Sequence, residues 1–433
     1  DAVLPLCRTA SGAPHALARM SERGLRVIAV AARDLEGGPA PATAEEAERE
    51  LDLLALIGLE DPPRPEAAEA IAACRRAGIR VAMVTGDHPT TATAIADETG
   101  LRSPGAPVLV GSDLPPDDEA LGELVDRDGV VIGRVDPEDK LRIARALRKR
   151  GHIVAMTGDG VNDGPALHEA DIGVAMGRSG TDVAREAADL VLLDDDFATI
   201  VTAVEEGRAI FANARRFLTY HLTDNVAELT PFLVWALSGG SFPLALGVLQ
   251  ILALDLGTDT LSAVALGAEP AEPRTLEQLP VRGRLLDRGV ARRAFGVLGP
   301  VEGLMGMAAF LVSLLAWGWR PGDPFPTGAP LLAASGATFM AVVIGQTANA
   351  FACRSATRWP GALGWLTNRL LVVGAAIELL LSLGFLLIPP VAELLRHAAP
   401  ALAGWGMALL TGPAVLAADA LHKAAGRRAR HDG

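Results

Sequence analysis

Cysteine is nearly absent from this sequence. Cys7, Cys74 and Cys353 are scattered through 433 residues, and no CxxC pair occurs. That excludes a disulfide framework and points to a reducing compartment. No charged-then-apolar leader follows Asp1, so no secretory signal is visible, and the chain reads as the C-terminal portion of something longer. No GxxxxGKS/T stretch occurs, which excludes a P-loop as the means of holding a nucleotide. Basic residues are in the minority and the net charge is −13, which argues against a nucleic-acid partner.

What the chain has is an uneven division of polar and apolar residues. Half its residues are apolar, yet 21% are charged. A mean hydropathy of +0.29 is high for that charge content and suggests a polar part joined to a membrane part. The acids lie mainly before residue 210 and the long apolar runs after it. At this length two or more bodies are expected.

The most informative stretch is 152–167, HIVAMTGDGVNDGPAL. The run 152–156 predicts an apolar strand, followed by a turn with Asp159, Asn162 and Asp163, then a helix from about Asn162–Pro165. Carboxylates where a buried parallel strand ends are well placed to hold Mg²⁺ against a phosphoryl group. Many α/β proteins carry an acidic turn with a capping Asp, but this motif is long and has companions. Upstream, 79–84 (IRVAMV) leads into Thr85-Gly86-Asp87, and Lys140 in VDPEDK stands near a helix start, one turn after strand 130–135. A lone Lys on a helix is usually solvated. Between two acidic loops of one sheet it could neutralise a transferring phosphoryl group.

The pattern between 66 and 193 alternates strictly. Helices are expected at 66–77, 90–99, 137–150 and 162–170, with strands at 79–84, 130–135, 152–156, 172–176 and 189–193. Short apolar strands separated by helices specify an α/β doubly wound parallel sheet, with ligands at the carboxyl ends of its strands. Residues 1–60 hold a helix at 13–23 and strands at 25–32 and 52–59, too little to bury a core of their own. Asp61-Pro-Pro-Arg-Pro then breaks regular structure.

Past residue 196 an amphipathic helix at 197–216 runs into an apolar span, 217–238. Five more follow at 243–267, 294–318, 329–352, 369–389 and 399–421. Each approaches or exceeds the about 20 residues that cross a bilayer, so an all-α domain of six transmembrane helices is expected. Arg274, Arg282, Arg284, Arg288, Arg292, Arg293, Arg354, Arg358 and Arg369 lie in alternate loops, and Lys423, Arg427, Arg428 and Arg430 in the tail. By the positive-inside rule these loops, the α/β domain and the C-terminus are cytoplasmic, which an even number of spans also requires.

Within the first span Asp224 and Glu228 share a helix face with Asn225 beside them. In the second, Asp255 and Asp259 are spaced i, i+4, with Thr258 adjacent and Gly257 able to loosen the helix. Carboxylates in lipid are costly and face polar cavities. Interhelical hydrogen bonding would explain one such residue. Six oxygen-bearing groups on two spans read as a hard-cation site. Gln346, Asn349, Glu302 and Glu378 are weaker candidates. For the two glutamates a packing or lipid-interface role is an equal alternative.

The combination of MVTGD, a Lys-bearing helix and TGDGVNDGPAL resembles the haloacid-dehalogenase-like (Rossmann-like) phosphorylation domain of P-type ATPases. With six spans, the chain is similar to the C-terminal portion of cation pumps of the calcium and sodium/potassium branch. The resemblance covers essentially all 433 residues. It implies Asp159 as an Mg²⁺ ligand, Asn162 and Asp163 shaping the phosphate site, and Thr85, Gly86 and Lys140 contacting the phosphoryl group. It implies Asp61, Asp87 and Arg134 near the ribose and the interdomain hinge, and Arg26 of GLRVIAVA reaching ATP phosphates. TDNVAELTPF and DLGTD resemble ion-binding spans, which implies Asn225, Glu228, Asp255, Thr258 and Asp259 as ligands of a transported cation. DLGTD is closer to the sodium/potassium form, and Asp224 stands where Ser is expected.

The implied organisation is a nucleotide-domain remnant at 1–60, a phosphorylation domain at 61–196, a stalk helix at 197–216, a membrane domain at 217–421 and a cytoplasmic tail at 422–433. The implied partners are ATP, Mg²⁺, a cation, the bilayer of the plasma membrane and the N-terminal remainder of the same pump. One departure is plain. No DKTGT motif, which carries the family's nucleophile, occurs in these residues, nor do KGA, TGE or PEGL-like motifs. A membrane-anchored phosphatase of the same superfamily and a non-catalytic remnant or regulatory partner are the competing readings.

Overall fold

Strand β6 (Val131–Gly133) shows how the sequence builds the soluble part. Val131 and Ile132 are both fully buried, and alternation along the strand sends them to opposite faces. Ile132 packs with Leu121, Val125 and Ile143, which come from helices α5 (Asp118–Val125) and α6 (Pro137–Lys149). Val131 packs with Ile71, Ala92 and Ala96 of helices α3 (Ala67–Arg76) and α4 (Pro89–Glu98). The computed structural model describes residues 3–9, 11–35, 41, 43–59, 62–271, 275–277 and 284–431. The chain divides into two compact units, Asp1–Glu205 with Arg274–Pro280, and Glu206–Pro273 with Val281–Gly433.

In the first unit, strands β1 (Cys7–Thr9), β2 (Arg26–Ala32) and β3 (Leu51–Leu59) form a sheet of order β1-β3-β2, with helix α1 (Ala13–Glu22) against β2 and β3 and a single turn, α2 (Ala44–Ala47), in the connection. The pair β2–β3 is antiparallel and β1–β3 parallel. Strand β4 (Met83–Val84) pairs in parallel with β6, and β5 (Val108–Val110) pairs with the other side of β6. Strands β7 (Ala155–Gly158), β8 (Ile172–Met176) and β9 (Leu190–Leu192) form a second parallel ladder, crossed over by helices α7 (Gly164–Glu169) and α8 (Asp182–Ala187). Leu167, Ala175 and Ala184 cluster together, and Val174, Leu192 and Ile200 form another cluster, so this sheet too is covered by apolar residues on both faces.

The α/β class with parallel strands is as expected, but the parallel strands form two three-stranded ladders rather than one continuous sheet. Each ends on the strand that carries its acidic loop, β4 with Thr85-Gly86-Asp87 and β7 with Asp159. Among the described residues nothing pairs with their outer edges. Strand β7 begins three residues later than its apolar run suggests, and just before it the Val154 N–H donates to the Asp171 carboxylate while its carbonyl accepts from Asp171 and Ile172.

Helix α9 (Ala198–Leu237) has 40 residues, which makes it about 60 Å long at 1.5 Å per residue. Among the described residues five helices are long and apolar enough to cross a membrane: α10 (Val248–Gly267), α11 (Arg288–Ala316), α12 (Ala329–Cys353), α13 (Arg369–Leu387) and α14, whose apolar part is Leu402–Arg428. Six spans were expected, and among the described residues α9 does not reach that apolarity, since Asp224 and Glu228 sit in its C-terminal half. Helix α12 is the most enclosed, packed by α11, α13 and α14.

Two buried ion pairs tie the helix ends. Arg354 donates through Nε and Nη2 to Glu269 at 2.7–3.1 Å, while Asn368 and Thr367 complete the cluster. Arg293 Nη2 donates to Asp419 Oδ1 at 2.7 Å, with Lys423 beside it. Arg293, Arg354 and Lys423 are thus buried rather than free loop cations.

Candidate phosphoryl-transfer and cation sites

At the end of β7 the chain turns back on itself. Asp163 Oδ2 accepts from the backbone N–H groups of Asp159 and Gly160 at 3.2 and 3.0 Å, and its Oδ1 accepts from Lys140 Nζ at 2.6 Å. Gly158 is required here, because a Cβ would stand 2.5 Å from that of Asp163. Both carboxylate oxygens of Asp163 are therefore committed to building the turn. Asp159 differs. It is exposed, and its carboxylate makes no hydrogen bond or ion pair among the described residues. A free carboxylate at a strand end beside a cation fits a divalent metal that completes its shell with phosphate oxygens and water. Asn162 is exposed on the same turn.

The loop after β8 braces this turn. Thr181 N–H donates to the Asp159 carbonyl at 2.9 Å. The loop is held in turn by Asp195, a buried residue at φ +60° whose carboxylate accepts from the N–H groups of Arg178 and Ser179 at 2.9 and 2.8 Å. The Arg178 N–H first, with further backbone donors, holds the Asp195 carboxyl down at about 2.

A second hydrogen-bonded set forms after β4. Thr85 Oγ1 donates to Asp87 Oδ2 at 3.1 Å and accepts from Asp87 N–H at 3.1 Å. Arg134, at φ +51°, donates its N–H to the Asp87 carbonyl at 2.8 Å, so the loops after β4 and β6 are stitched together. Gly86, Asp87 and Arg134 are exposed. Arg26 opens β2, but its side chain lies outside the described residues, as does the whole of Asp61.

In the second unit α10 carries a π-helical turn at Asp255–Asp259, where Thr260 Oγ1 reaches the Asp255 carbonyl at 3.0 Å. Such widened turns are frequent at functional sites. Thr258 and Asp259 are buried within it, while Asp255 is exposed. On α9, Asp224 and Glu228 are buried and Asn225 is exposed. Asn349 Nδ2 donates to Asp224 Oδ1 at 2.8 Å, and Gln346 Nε2 donates to Glu228 Oε1 at 3.0 Å. Glu378 accepts from Ser262 at 2.8 Å and Thr347 at 3.3 Å. Thr258 spends its hydroxyl on the Leu254 carbonyl.

Sequence reasoning missed His221, whose Nδ1 lies 3.0 Å from Asp259 Oδ2. Ligand atoms of His221, Asp224 and Asp259 all fall within 4.8 Å of one another. The available signal was its position three residues before Asp224, on the same helix face. Among the described residues, Asp224 Oδ2, Asp259 Oδ1 and Gln346 Oε1 are buried without a hydrogen-bond partner.

Residues 9–171 match the haloacid dehalogenase-like hydrolase model, and residues 243–425 match that of the cation transporting ATPase C-terminus. By these two matches the chain is similar to the C-terminal portion of P-type cation-transporting ATPases, and its membrane-span-capable helices support an integral membrane protein. It is 43% identical over 343 residues to a calcium-transporting ATPase of Bacillus subtilis (strain 168), which covers 79% of this chain and 37% of the relative. It is 37% identical over 402 residues to calcium-transporting ATPase 1 of Bacillus cereus (strain ATCC 10987 / NRS 248), covering 90% and 44%. It is 42% identical over 300 residues to the sodium/potassium-transporting ATPase subunit alpha-2 of Rattus norvegicus, covering 63% and 29%. The chain thus spans less than half the length of these relatives.

Proposed function

We propose that this chain is the phosphorylation and cation-binding half of an ATP-driven pump in which formation and hydrolysis of an aspartyl phosphate are coupled to ion movement. The observation that carries the reading is the unpaired Asp159 carboxylate at the end of β7, set beside the Lys140–Asp163 pair, in a chain whose helices also enclose acid side chains. Mg²⁺ held at Asp159 supplies charge neutralisation for the phosphoryl group. Lys140 adds a positive charge beside it, Asp163 fixes the turn, and Thr85 and Gly86 contact the phosphoryl oxygens. Arg26, Asp61, Asp87 and Arg134 serve the nucleotide and the hinge. The attacking carboxylate belongs to the remainder of the pump. The soluble part is divided into a nucleotide-domain remnant, 1–60, and a phosphorylation domain, 61–196. The lower half of α9 is the stalk, and its upper half is a sixth span. The pump lies in the plasma membrane with the α/β domain and the C-terminus cytoplasmic, an orientation favoured by the arginine-rich loops.

The cargo is a divalent cation, with Ca²⁺ first. Asp224, Glu228 and Asp259 place three buried carboxylates on two helices. Flexible, carboxylate-rich oxygen cages suit Ca²⁺ better than Mg²⁺. The test is Asp159→Asn in the complete pump. It abolishes Mg²⁺-dependent ATP hydrolysis and leaves the folded protein and its yield unchanged, because it removes a ligand charge from an exposed turn. Normal hydrolysis by that variant would refute the assignment.

A further inference from the structure

Helix α11 contributes a carboxylate that none of the hydrogen bonds described above uses. Glu302 is fully buried, and among the described residues neither of its oxygens has a hydrogen-bond partner. It is lodged between two helices that carry the cation cluster. On one side, α12 makes room with Gly345, where a Cβ would stand 2.7 Å from Glu302 Cγ and 3.0 Å from Oε1. The next residue, Gln346, binds Glu228 through its amide nitrogen and leaves Oε1 unpartnered. On the other side, Gly303 lets α11 press against α9, where a Cβ would meet Thr230 Oγ1 at 2.4 Å. Glu302 interacts electrostatically with Asp224, Glu228, Asp259 and Glu378.

A packing role does not account for this arrangement. An apolar side chain of similar volume would fill the space without the desolvation cost of a carboxyl group, and a protonated carboxyl would still need a partner for its O–H. Interhelical hydrogen bonding is excluded by the two unpartnered oxygens. Five buried carboxylates, Asp224, Glu228, Asp259, Glu302 and Glu378, share this region with one imidazole, that of His221. The group that satisfies Glu302 must bring positive charge with it. We propose that Glu302 is a direct ligand of a hard, oxygen-preferring divalent cation, which makes α11 a wall of the site alongside α9, α10 and α12. Gln346, Asp224 and Asp259 each also hold a buried oxygen without a hydrogen-bond partner among the described residues. This rests on the cation-carrying reading of the cluster given above and adds a ligand to it.

The experiment is equilibrium binding of radioactive Ca²⁺ to the complete pump purified in detergent micelles, for the parent, Glu302→Gln, Glu302→Asp and Asp259→Asn. Metal-free thermal unfolding is measured for each. Glu302→Gln is expected to weaken Ca²⁺ binding by at least about tenfold, as loss of groups around a metal does. Its metal-free stability should be unchanged or raised, which a structural role would not give. Glu302→Asp keeps the charge and retains part of the affinity. If Glu302→Gln fails to fold, weakened Ca²⁺ binding by Glu302→Asp still supports the inference, and parent affinity in that variant overturns it. Parent-like binding by Glu302→Gln with binding lost in Asp259→Asn overturns the Glu302 inference alone. No Ca²⁺ binding by the parent overturns the divalent-cation reading with it.

Discussion

Lys140 Nζ donates to Asp163 Oδ1 at 2.6 Å, across 23 residues of sequence, while the other oxygen of Asp163 holds two backbone N–H groups of the turn that presents Asp159. One ion pair thus joins the start of α6 to the turn after β7. Lys140→Ala is expected to cost about 1–3 kcal/mol, the usual range for losing a hydrogen bond to a charged group. Chemical denaturation of the soluble unit within the full chain measures it. Lys140→Arg should recover part of the loss. An unchanged midpoint in Lys140→Ala would show that the pair does not support the turn.

Arg134→Ala in the complete pump should weaken ATP binding with little effect on stability, since the side chain is exposed and its main chain holds the Asp87 loop. Nucleotide titration is the readout. Affinity equal to the parent would remove Arg134 from the nucleotide site.

The Glu269–Arg354 pair is buried, and Asn368 also donates to the carboxylate at 2.6 Å. Removing one partner leaves an uncompensated charge. Glu269→Ala should therefore cost about 3–5 kcal/mol, read as a lowered unfolding temperature in detergent. The double change Glu269→Leu, Arg354→Met should restore much of it. Equal stability of parent and Glu269→Ala would mean that the pair contributes nothing net.

Asp195 has a folded-state value of about 2, below its ordinary 3.8. Because the folded value is the lower one, its contribution to stability is full above the ordinary value and is lost as pH falls toward 2. Acidification should therefore loosen the 177–181 loop, and with it the Thr181 bond to Asp159. Hydrogen exchange at the Arg178 and Ser179 amides between pH 5 and pH 2.5 measures this, after correction for the intrinsic rate. Asp195→Asn should flatten the dependence.

How much of this was legible in the sequence follows from how locally each feature is encoded. TGDGVND lies on one strand and one turn, so the exposed Asp159 and the buried Asp163 could be anticipated from contiguous residues. The Lys140–Asp163 bond could not, because it depends on how α6 lies over the sheet. Strand β5 and helix α5 were missed. Three apolar residues, Val108–Val110, before a Gly-, Pro- and Asp-rich stretch carry too little periodicity to mark a strand. In the membrane helices, spacing predicted that Asp224 and Glu228 share a face. It did not separate Asp255, which is exposed, from Asp259, which is buried, because a π turn lies between them. His221 and the burial of Arg293 and Arg354 are tertiary facts with weak local signals.

The transported cation is tested most directly by ATP hydrolysis of the complete pump across Ca²⁺, Mg²⁺, Na⁺ and K⁺ at saturating Mg-ATP. Stimulation is expected from Ca²⁺ within the about 10⁻⁹–10⁻³ M span of oxygen-ligand Ca²⁺ sites, lost in Asp259→Asn and weakened in Asp224→Ser. Stimulation by Na⁺ or K⁺ alone, unchanged in Asp224→Ser, would contradict the divalent-cation reading.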